Sequence, residues 1–367
     1  EQGEGTNWEA AAFAAHNHLD NLVAILDENT LQINGRTSEI CKPTSYESRY
    51  AAFGWAVRPV PGHDVGALYD AFAQIPLEPG KPTLLVAKTT KGKGISFLED
   101  QQKYHHRNPG GTGCPCGGKG LVSMCLRDPR KAFEAKLLEL GKDNEAIVAI
   151  SCDSASGGGL GAFFQAYPNR SVEVGISEQT AVGISAAMAR QGFIPVVVAI
   201  DPFLTMRAYE QIRDDVGYMH TNVKLVASGG GLAYSTLGST HMALEDVALM
   251  RTVPNLVVLC PGDADEVEFC LEEAIKIDGP VFIRMPRQAK EPPAKRTQRK
   301  MELGRGEVLV DGGVAAALFT YGPSTAEAVE AAEILQEQGV SMSVINFTTL
   351  KPLDEELIRH YASSAKK

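Results

Sequence analysis

Short runs of β-branched and aliphatic residues alternate with helix-length stretches along almost all of the 367-residue chain, and few folds accept that alternation. Strands separated by helices pair in parallel, with the helices packed on the faces of the sheet. The runs Leu22 to Leu26, Ala56 to Val60 and Leu84 to Ala87 come first, and the unbroken apolar character of Leu22 to Leu26 suits a strand buried on both faces. Thr6-Asn7-Trp8-Glu9 reads as a capping box opening a helix over 7–18. A Gly/Pro-rich stretch from Asn108 to Val122 reads as a linker. The alternation then restarts with helix 129–140, strand 146–150, helix 178–190, strand 194–200 and helix 204–214. Strands 223–227 and 256–260, helix 263–275 and strand 280–284 follow. A break rich in Pro, Lys and Arg covers Pro286 to Lys300. Beyond it, Ala315 to Thr320, Thr325 to Gln338 and Met342 to Phe347 form one more βαβ unit, too small to bury a core of its own. The expected class is α/β, with parallel sheets flanked by helices in successive domains.

Composition narrows the function. Hydrophobic residues make up 44% and charged residues 22%, which is the range of ordinary globular chains. The net charge of -10, with no basic stripe, argues against nucleic acid as a partner. No apolar run approaches the roughly 18 residues that a membrane span needs, so no membrane role is expected. The seven cysteines are dispersed and odd in number, which points to reduced thiols and a cytoplasmic location. Cys114 and Cys116 form a lone C-x-C without a second pair at zinc spacing, so a loop with free thiols is the better reading. The chain opens without a sheet-starting strand and closes one helix after a βαβ unit, so both ends read as cut.

Several short stretches carry chemistry. Asn29 lies just past the carboxyl end of the first buried strand, at the edge where open α/β sheets bind ligands. Its amide oxygen, with a nearby carbonyl, is a hard ligand suited to Mg²⁺; alone, the same residue reads as a turn former in Glu28-Asn29-Thr30. Glu178, in Val174-Gly175-Ile176-Ser177-Glu178-Gln179, opens a helix of small residues, where the helix dipole favours an acid. Phe203, Met206 and Tyr209 recur at i, i+3, i+6, a face that would serve a core or a cofactor equally.

Taken in order, these stretches resemble the transketolase family. Glu4-Gly5, Trp8-Glu9-Ala10 and Asp27-Glu28-Asn29-Thr30-Leu31-Gln32-Ile33-Asn34-Gly35 are similar to its diphosphate-binding motifs, and the likeness continues through Gly62-His63-Asp64 and Lys88 to Gly94. The segments around Glu178, Asp201 to Tyr209 and Gly238-Ser239-Thr240-His241 are similar to its pyrimidine-binding domain. The resemblance implies a thiamine-diphosphate-binding fold. Residues 1–107 would be the later part of the diphosphate-binding domain, 108–125 a linker, 126–290 the pyrimidine-binding domain and 303–367 the start of the C-terminal domain.

It also implies roles, residue by residue. Glu178 would hydrogen-bond N1′ of the aminopyrimidine and activate the cofactor, with His241 and His105 as further catalytic groups. Phe203, Met206 and Tyr209 would pocket the pyrimidine. Asn29, through its side chain, and Leu31, through its carbonyl, would bind Mg²⁺ or Ca²⁺ on the diphosphate. Glu4 would lie at a subunit interface near Glu178. Arg287, Arg130 and His241 would bind a sugar phosphate. For His63, a turn or surface role is the stronger reading, and Lys91 and Lys93 read as loop charges. The implied reaction moves a two-carbon ketol unit from a ketose to an aldose through an enamine on the cofactor, in a homodimer whose site lies between subunits.

Three departures keep alternatives open. The family's Mg²⁺-binding Asp would precede Glu1 and is not in this sequence. Leu237 and Gly229 stand where many transketolases have an aspartate and a phosphate-binding histidine. A 1-deoxy-D-xylulose-5-phosphate synthase-like enzyme, or a non-catalytic subunit of the same fold, is therefore the rival reading. Met124 also resembles the start of a separate subunit, as in transketolases split into two chains.

Overall fold

A computed structural model of the chain describes residues 2–41, 44–104, 127–287, 301–313 and 315–364. These fall into two compact units, one of residues 2–104 with Val174–Ser177, the other of residues 127–173 and 178–364. The expected linker at 108–125 lies outside the described residues, as do His105, Cys114 and Cys116.

In the first unit, α1 (Gly5–His16), α2 (Tyr46–Ala52) and α3 (Val65–Phe72) accompany a parallel sheet of β1 (Val23–Glu28), β2 (Ala56–Pro61) and β3 (Thr83–Lys88). The strand order is β1-β3-β2. Leu84, Leu85 and Val86 of the central strand are almost fully buried, because a helix-covered parallel sheet has no wet face at its centre. Trp55 closes this core, and its indole Nε1 donates to the Ala11 carbonyl at 2.9 Å. The capping box expected at Thr6 is not formed. The helix starts two residues earlier, at Gly5, with Glu4 as N-cap and no side-chain cap bond. The last turn also ends earlier than expected: Asn17 sits outside the helix and His18 has φ 52°.

In the second unit, α4 (Pro129–Asp143), β4 (Ile147–Ser151), β5 (Ser171–Glu173), α5 (Glu178–Ala189), β6 (Ile194–Ile200) and β7 (Lys224–Ser228) come first. They are followed by α6 (Asp246–Thr252), β8 (Val257–Leu259), α7 (Ala264–Lys276) and β9 (Val281–Met285). The C-terminal segment adds β10 (Glu307–Val310), β11 (Ala316–Thr320), α8 (Ser324–Glu337), β12 (Met342–Asn346), β13 (Thr349–Lys351) and α9 (Glu355–Ser364). The main sheet runs β13-β8-β9-β7-β6-β4-β5. All of its pairings are parallel except that of β13, which lies antiparallel along β8. Its buried core joins Phe133 and Leu137 of α4 with Val267 and Leu271 of α7, over Ile147, Val196, Val226 and Ile283.

Chain order and sheet order part company between β4 and β6. The chain runs from β4 outward to β5, then crosses back to β6 on the other side. At such a switch point neighbouring connections leave on opposite faces and open a crevice at the carboxyl ends of the strands.

The helix expected over 204–214 is not one regular helix. Two π-helical stretches, Phe203–Arg207 and Ile212–Tyr218, flank a single α turn at Tyr209–Gln211. The wider winding moves residues off the 3.6-residue spacing on which the face of Phe203, Met206 and Tyr209 was read.

Contrary to expectation, the C-terminal segment has an apolar core of its own, in which Ala328, Val329 and Ala332 of α8 pack with Val344 of β12. Its three strands pair in the order β10-β12-β11, while β13 is given to the main sheet. A buried polar chain fastens the two. Thr325 Oγ1 donates to Asn346 Oδ1 at 2.8 Å, and Asn346 Nδ2 donates to Glu266 Oε1 at 2.9 Å. Among the described residues, no helix is long and apolar enough to cross a membrane.

Candidate active site

The second unit brings five of the eleven expected site residues, Glu178, Phe203, His241, Arg287 and Arg130, to the carboxyl ends of its parallel strands. Glu178 is the first residue of α5, in the crossover from β5 back to β6, and is 1% exposed. A buried charge needs a partner. Arg207 supplies one, donating from a guanidinium nitrogen to Glu178 Oε2 at 2.9 Å. Among the described residues no hydrogen bond falls on Oε1. The same guanidinium lies 4.4 Å over the ring of Phe203. That ring meets the His241 imidazole edge-on, with centroids 5.0 Å apart and planes at 72°. Thr240 Oγ1 lies 2.9 Å from His241 Nδ1. Beyond His241 comes Tyr234, with ring centroids 6.2 Å apart, and over Tyr234 lies the Arg287 guanidinium at 4.3 Å. Glu178, Arg207, Phe203, His241, Tyr234 and Arg287 thus form one line of contacts.

Two further groups frame that line. Arg130, at the start of α4, forks onto its own N-cap residue, Asp128, with Nε at 3.2 Å from Oδ1 and a terminal nitrogen at 2.8 Å from Oδ2. This hydrogen bonding holds the Arg130 pKa above its ordinary value, and Tyr234 adds to the effect from nearby. Asp201 directly follows β6 and is fully buried. Burial, then the charge of Asp246 and a hydrogen bond to it, push the Asp201 carboxyl well above the usual carboxylate range. Arg284 donates to Asp246 Oδ2 at 2.5 Å. A Cβ on Gly230 would stand 2.5 Å from Arg284 Nε and 2.7 Å from Asp201 Oδ2, so only glycine lets the backbone pass over this cluster.

Other expected residues stand apart. Tyr209 places its hydroxyl 2.7 Å from Thr252 Oγ1 on α6. Met206 is half-buried within the first π-helical stretch. His105 lies outside the described residues. The first unit holds Glu4, Asn29 and Leu31. Glu4 caps α1, and its carbonyl accepts from Asn7. Asn29 Oδ1 accepts from the Leu31 backbone N–H at 3.0 Å, a turn that draws the two residues together. His63 braces a loop instead of facing a ligand, with the Thr90 N–H donating to its Nε2 at 2.7 Å.

Arg207, Tyr234 and Asp201 are the residues of the site that sequence reading did not single out. An arginine in the segment after β6, on the same strand edge as a helix-start glutamate, was the available signal for Arg207. Nothing local marks Tyr234.

The residues present fit the pyrimidine end of a thiamine cofactor. Among the described residues, one oxygen of the buried Glu178 carboxyl meets no hydrogen-bond donor, and a protonated ring nitrogen is a partner such an oxygen can take. The diphosphate end fits in part. Asn29 Oδ1 and the Leu31 carbonyl are hard oxygen donors of the kind that would hold a divalent ion on a diphosphate. Among the described residues no group of three or more His, Cys, Asp or Glu gathers to hold a metal.

An open parallel sheet with a buried helix-start glutamate at its switch point, and an aromatic ring beside it, defines the class: a thiamine diphosphate-binding α/β protein. Family models match the chain as "Transketolase, thiamine diphosphate binding domain" over residues 2–113, "Transketolase, pyrimidine binding domain" over 127–292 and "Transketolase, C-terminal domain" over 304–367. The chain belongs to the transketolase family.

Among curated relatives, "Transketolase-like protein 2" of Bos taurus is 33% identical over 395 residues, covering 98% of this chain and 63% of the relative. "1-deoxy-D-xylulose-5-phosphate synthase" of Symbiobacterium thermophilum is 36% identical over 302 residues, covering 82% and 45%. The chain therefore spans less than two thirds of these relatives. Among solved structures, "Split gene transketolase, inactive beta4 tetramer" aligns with TM-score 0.59 and 34% identity, covering 65% of this chain and 77% of that one. Transketolase from Campylobacter jejuni aligns with TM-score 0.59 over 99% of this chain and 67% of its own, at 20% identity, and shows the shared fold.

Proposed function

We propose that this chain serves a transketolase-type transferase, moving a two-carbon ketol unit from a ketose phosphate donor to an aldose phosphate acceptor. The observation that carries the reading is the line from Glu178 through Phe203 and His241 to Arg287. It joins a cofactor-activating acid, an imidazole and an anion-binding fork along one strand edge. When bound, thiamine diphosphate supplies a carbon nucleophile that takes up the electrons of the broken C–C bond.

The chain's own residues have distinct tasks. Glu178, with Arg207 on Oε2, would share a proton with N1′ of the aminopyrimidine through Oε1. Phe203 would support the pyrimidine ring. His241, steadied by Thr240, would hold or move a proton at the substrate's carbonyl and hydroxyl oxygens. Arg287 would take the phosphate, since a planar fork of donors matches that anion. Asn29 and Leu31 would hold a divalent ion on the diphosphate. A cytoplasmic homodimer is the proposed working form, and sedimentation velocity measures its mass.

The test is ketol transfer from a ketose phosphate to an aldose phosphate with thiamine diphosphate and Mg²⁺ present, for the wild type and for Glu178→Gln. The expected loss in Glu178→Gln is at least 10²-fold in kcat, the scale of a positioned acid–base group, together with loss of C2 proton exchange on bound cofactor. Unchanged exchange would sink the role of Glu178. The 36% identity to a 1-deoxy-D-xylulose-5-phosphate synthase supports a second reading, in which pyruvate is the donor. Release of carbon dioxide from pyruvate, without ketol transfer, selects it.

A further inference from the structure

Four arginines, Arg130, Arg207, Arg284 and Arg287, stand along the carboxyl edge of the main sheet, and three of them are neutralised. Arg130 is forked on Asp128, Arg207 is held by Glu178, and Arg284 by Asp246. Arg287 differs. Among the described residues it makes no hydrogen bond or ion pair, and what holds it is the face of Tyr234, 4.3 Å from the guanidinium carbon. A cation–π contact fixes the plane of a guanidinium while leaving the N–H groups at its edge to find acceptors elsewhere. Arg287 is thus oriented without being spent.

The position of Tyr234 depends in turn on Gly229. A Cβ on residue 229 would lie 2.1 Å from Tyr234 Cε2 and 2.6 Å from Cδ2. The backbone there has φ +80°, a region that favours glycine. The ring therefore occupies space that any other residue at 229 would fill. Its other neighbour is His241, whose ring centroid lies 6.2 Å away. Tyr234 thus meets both an imidazole and a guanidinium.

We infer that Tyr234, seated on Gly229, is a specificity-determining positioning residue: it aims Arg287 at an oxyanion, a phosphate monoester, at the end of the substrate away from His241. The oxyanion site rests on the geometry alone. That the anion belongs to a sugar phosphate rests on the proposed ketol-transfer reading. A carboxylate would match the same fork, and the two sources separate by experiment.

The probe is inorganic phosphate, titrated calorimetrically at constant ionic strength into the full chain, with sodium acetate as comparison. The variants are Tyr234→Phe, Tyr234→Leu, Gly229→Ala and Arg287→Gln. Wild type should bind phosphate more tightly than acetate, and Arg287→Gln should lose that preference. Tyr234→Leu should weaken phosphate about tenfold, the scale of a half-buried cation–π contact. Gly229→Ala should weaken it too, by displacing the ring, whereas Tyr234→Phe should restore wild-type binding because the ring face is kept. That restoration separates orientation of Arg287 from general damage to the fold.

With ketol transfer as readout, Tyr234→Leu should raise KM for a phosphorylated acceptor about tenfold and leave KM for its unphosphorylated counterpart unmoved. Wild-type phosphate affinity in Tyr234→Leu, alongside loss in Arg287→Gln, overturns the inference. So does a wild type that does not bind phosphate, and acetate bound as tightly as phosphate overturns the phosphate assignment. A wild type without ketol transfer but with this pattern of phosphate binding overturns the proposed function and leaves the inference standing.

Discussion

A carboxyl group at the end of a buried strand must find a donor, a cation or a proton, and Asp201 shows which of these this protein uses. Arg284 is committed to Asp246, and among the described residues Asp201 Oδ2 has no protein donor. A proton on Asp201 resolves the conflict, because the acid can then donate to the Asp246 carboxylate while Thr205 donates to Asp201 Oδ1 at 3.1 Å. The consequence for stability has a definite sign. The folded pKa lies above the unfolded one, so the folded chain retains a proton that the unfolded chain has released. The contribution is fully present below the ordinary value of 3.8 and is lost as pH rises through the folded value. Asp201→Asn keeps the shape and the donor without the titration. The stability of Asp201→Asn should therefore gain on wild type as pH rises, by up to about 1.4 kcal/mol per pH unit, and its melting temperature should rise relative to wild type accordingly. Parallel melting curves for the two proteins between pH 5 and 9 would show that Asp201 is ionised.

At the scale of elements, two joints carry consequences. The first is the segment after β6, where π-helical winding at Phe203–Arg207 puts Phe203 against His241 and Arg207 against Glu178. The second fastens the C-terminal segment. Glu266 on α7 is fully buried, accepts from the Gly262 N–H at 2.6 Å and from Asn346 Nδ2, and Asn346 in turn accepts from Thr325 on α8. β13 covers the free edge of β8, which would otherwise present unpaired backbone groups. Asn346→Leu leaves a buried carboxylate oxygen and the Thr325 hydroxyl without this partner. The expected loss is about 2–4 kcal/mol, read from urea unfolding followed by fluorescence and by proteolysis of the C-terminal segment. A loss below about 0.5 kcal/mol would show that apolar contacts and β13 carry the joint instead.

For the whole molecule, the question is whether the folded chain takes up the cofactor. A ligand that binds the folded chain and not the unfolded one stabilises it by mass action, by about 2.7 kcal/mol at a hundredfold excess over Kd. Thiamine diphosphate with Mg²⁺ should therefore raise the melting temperature by about 3–4 °C. Either component alone should give much less, and chelation should reverse the gain. An unchanged melting temperature at saturating cofactor and metal would set this chain among the non-catalytic members of its fold.

What the sequence by itself determined is the α/β class, ten of the thirteen strands β1–β13 and the motifs at their carboxyl ends; it missed the short or partly exposed β5, β10 and β13. The boundaries of β6 at 194–200 match residue for residue, since a run of Val and Ile that long suits only a doubly covered strand. Local rules failed where partners compete. Thr6 did not cap α1, and Phe203, Met206 and Tyr209 did not keep helical spacing, because packing against distant elements outweighs propensity. Only the tertiary structure decided that Arg207 guards Glu178, 29 residues away, and that Arg284 reaches Asp246 across 38. The same holds for the place that Gly229 clears for Tyr234. A sequence records which side chains leave the sheet at one edge. Which of them touch depends on strand order and on the space left between loops, and both are properties of the folded chain.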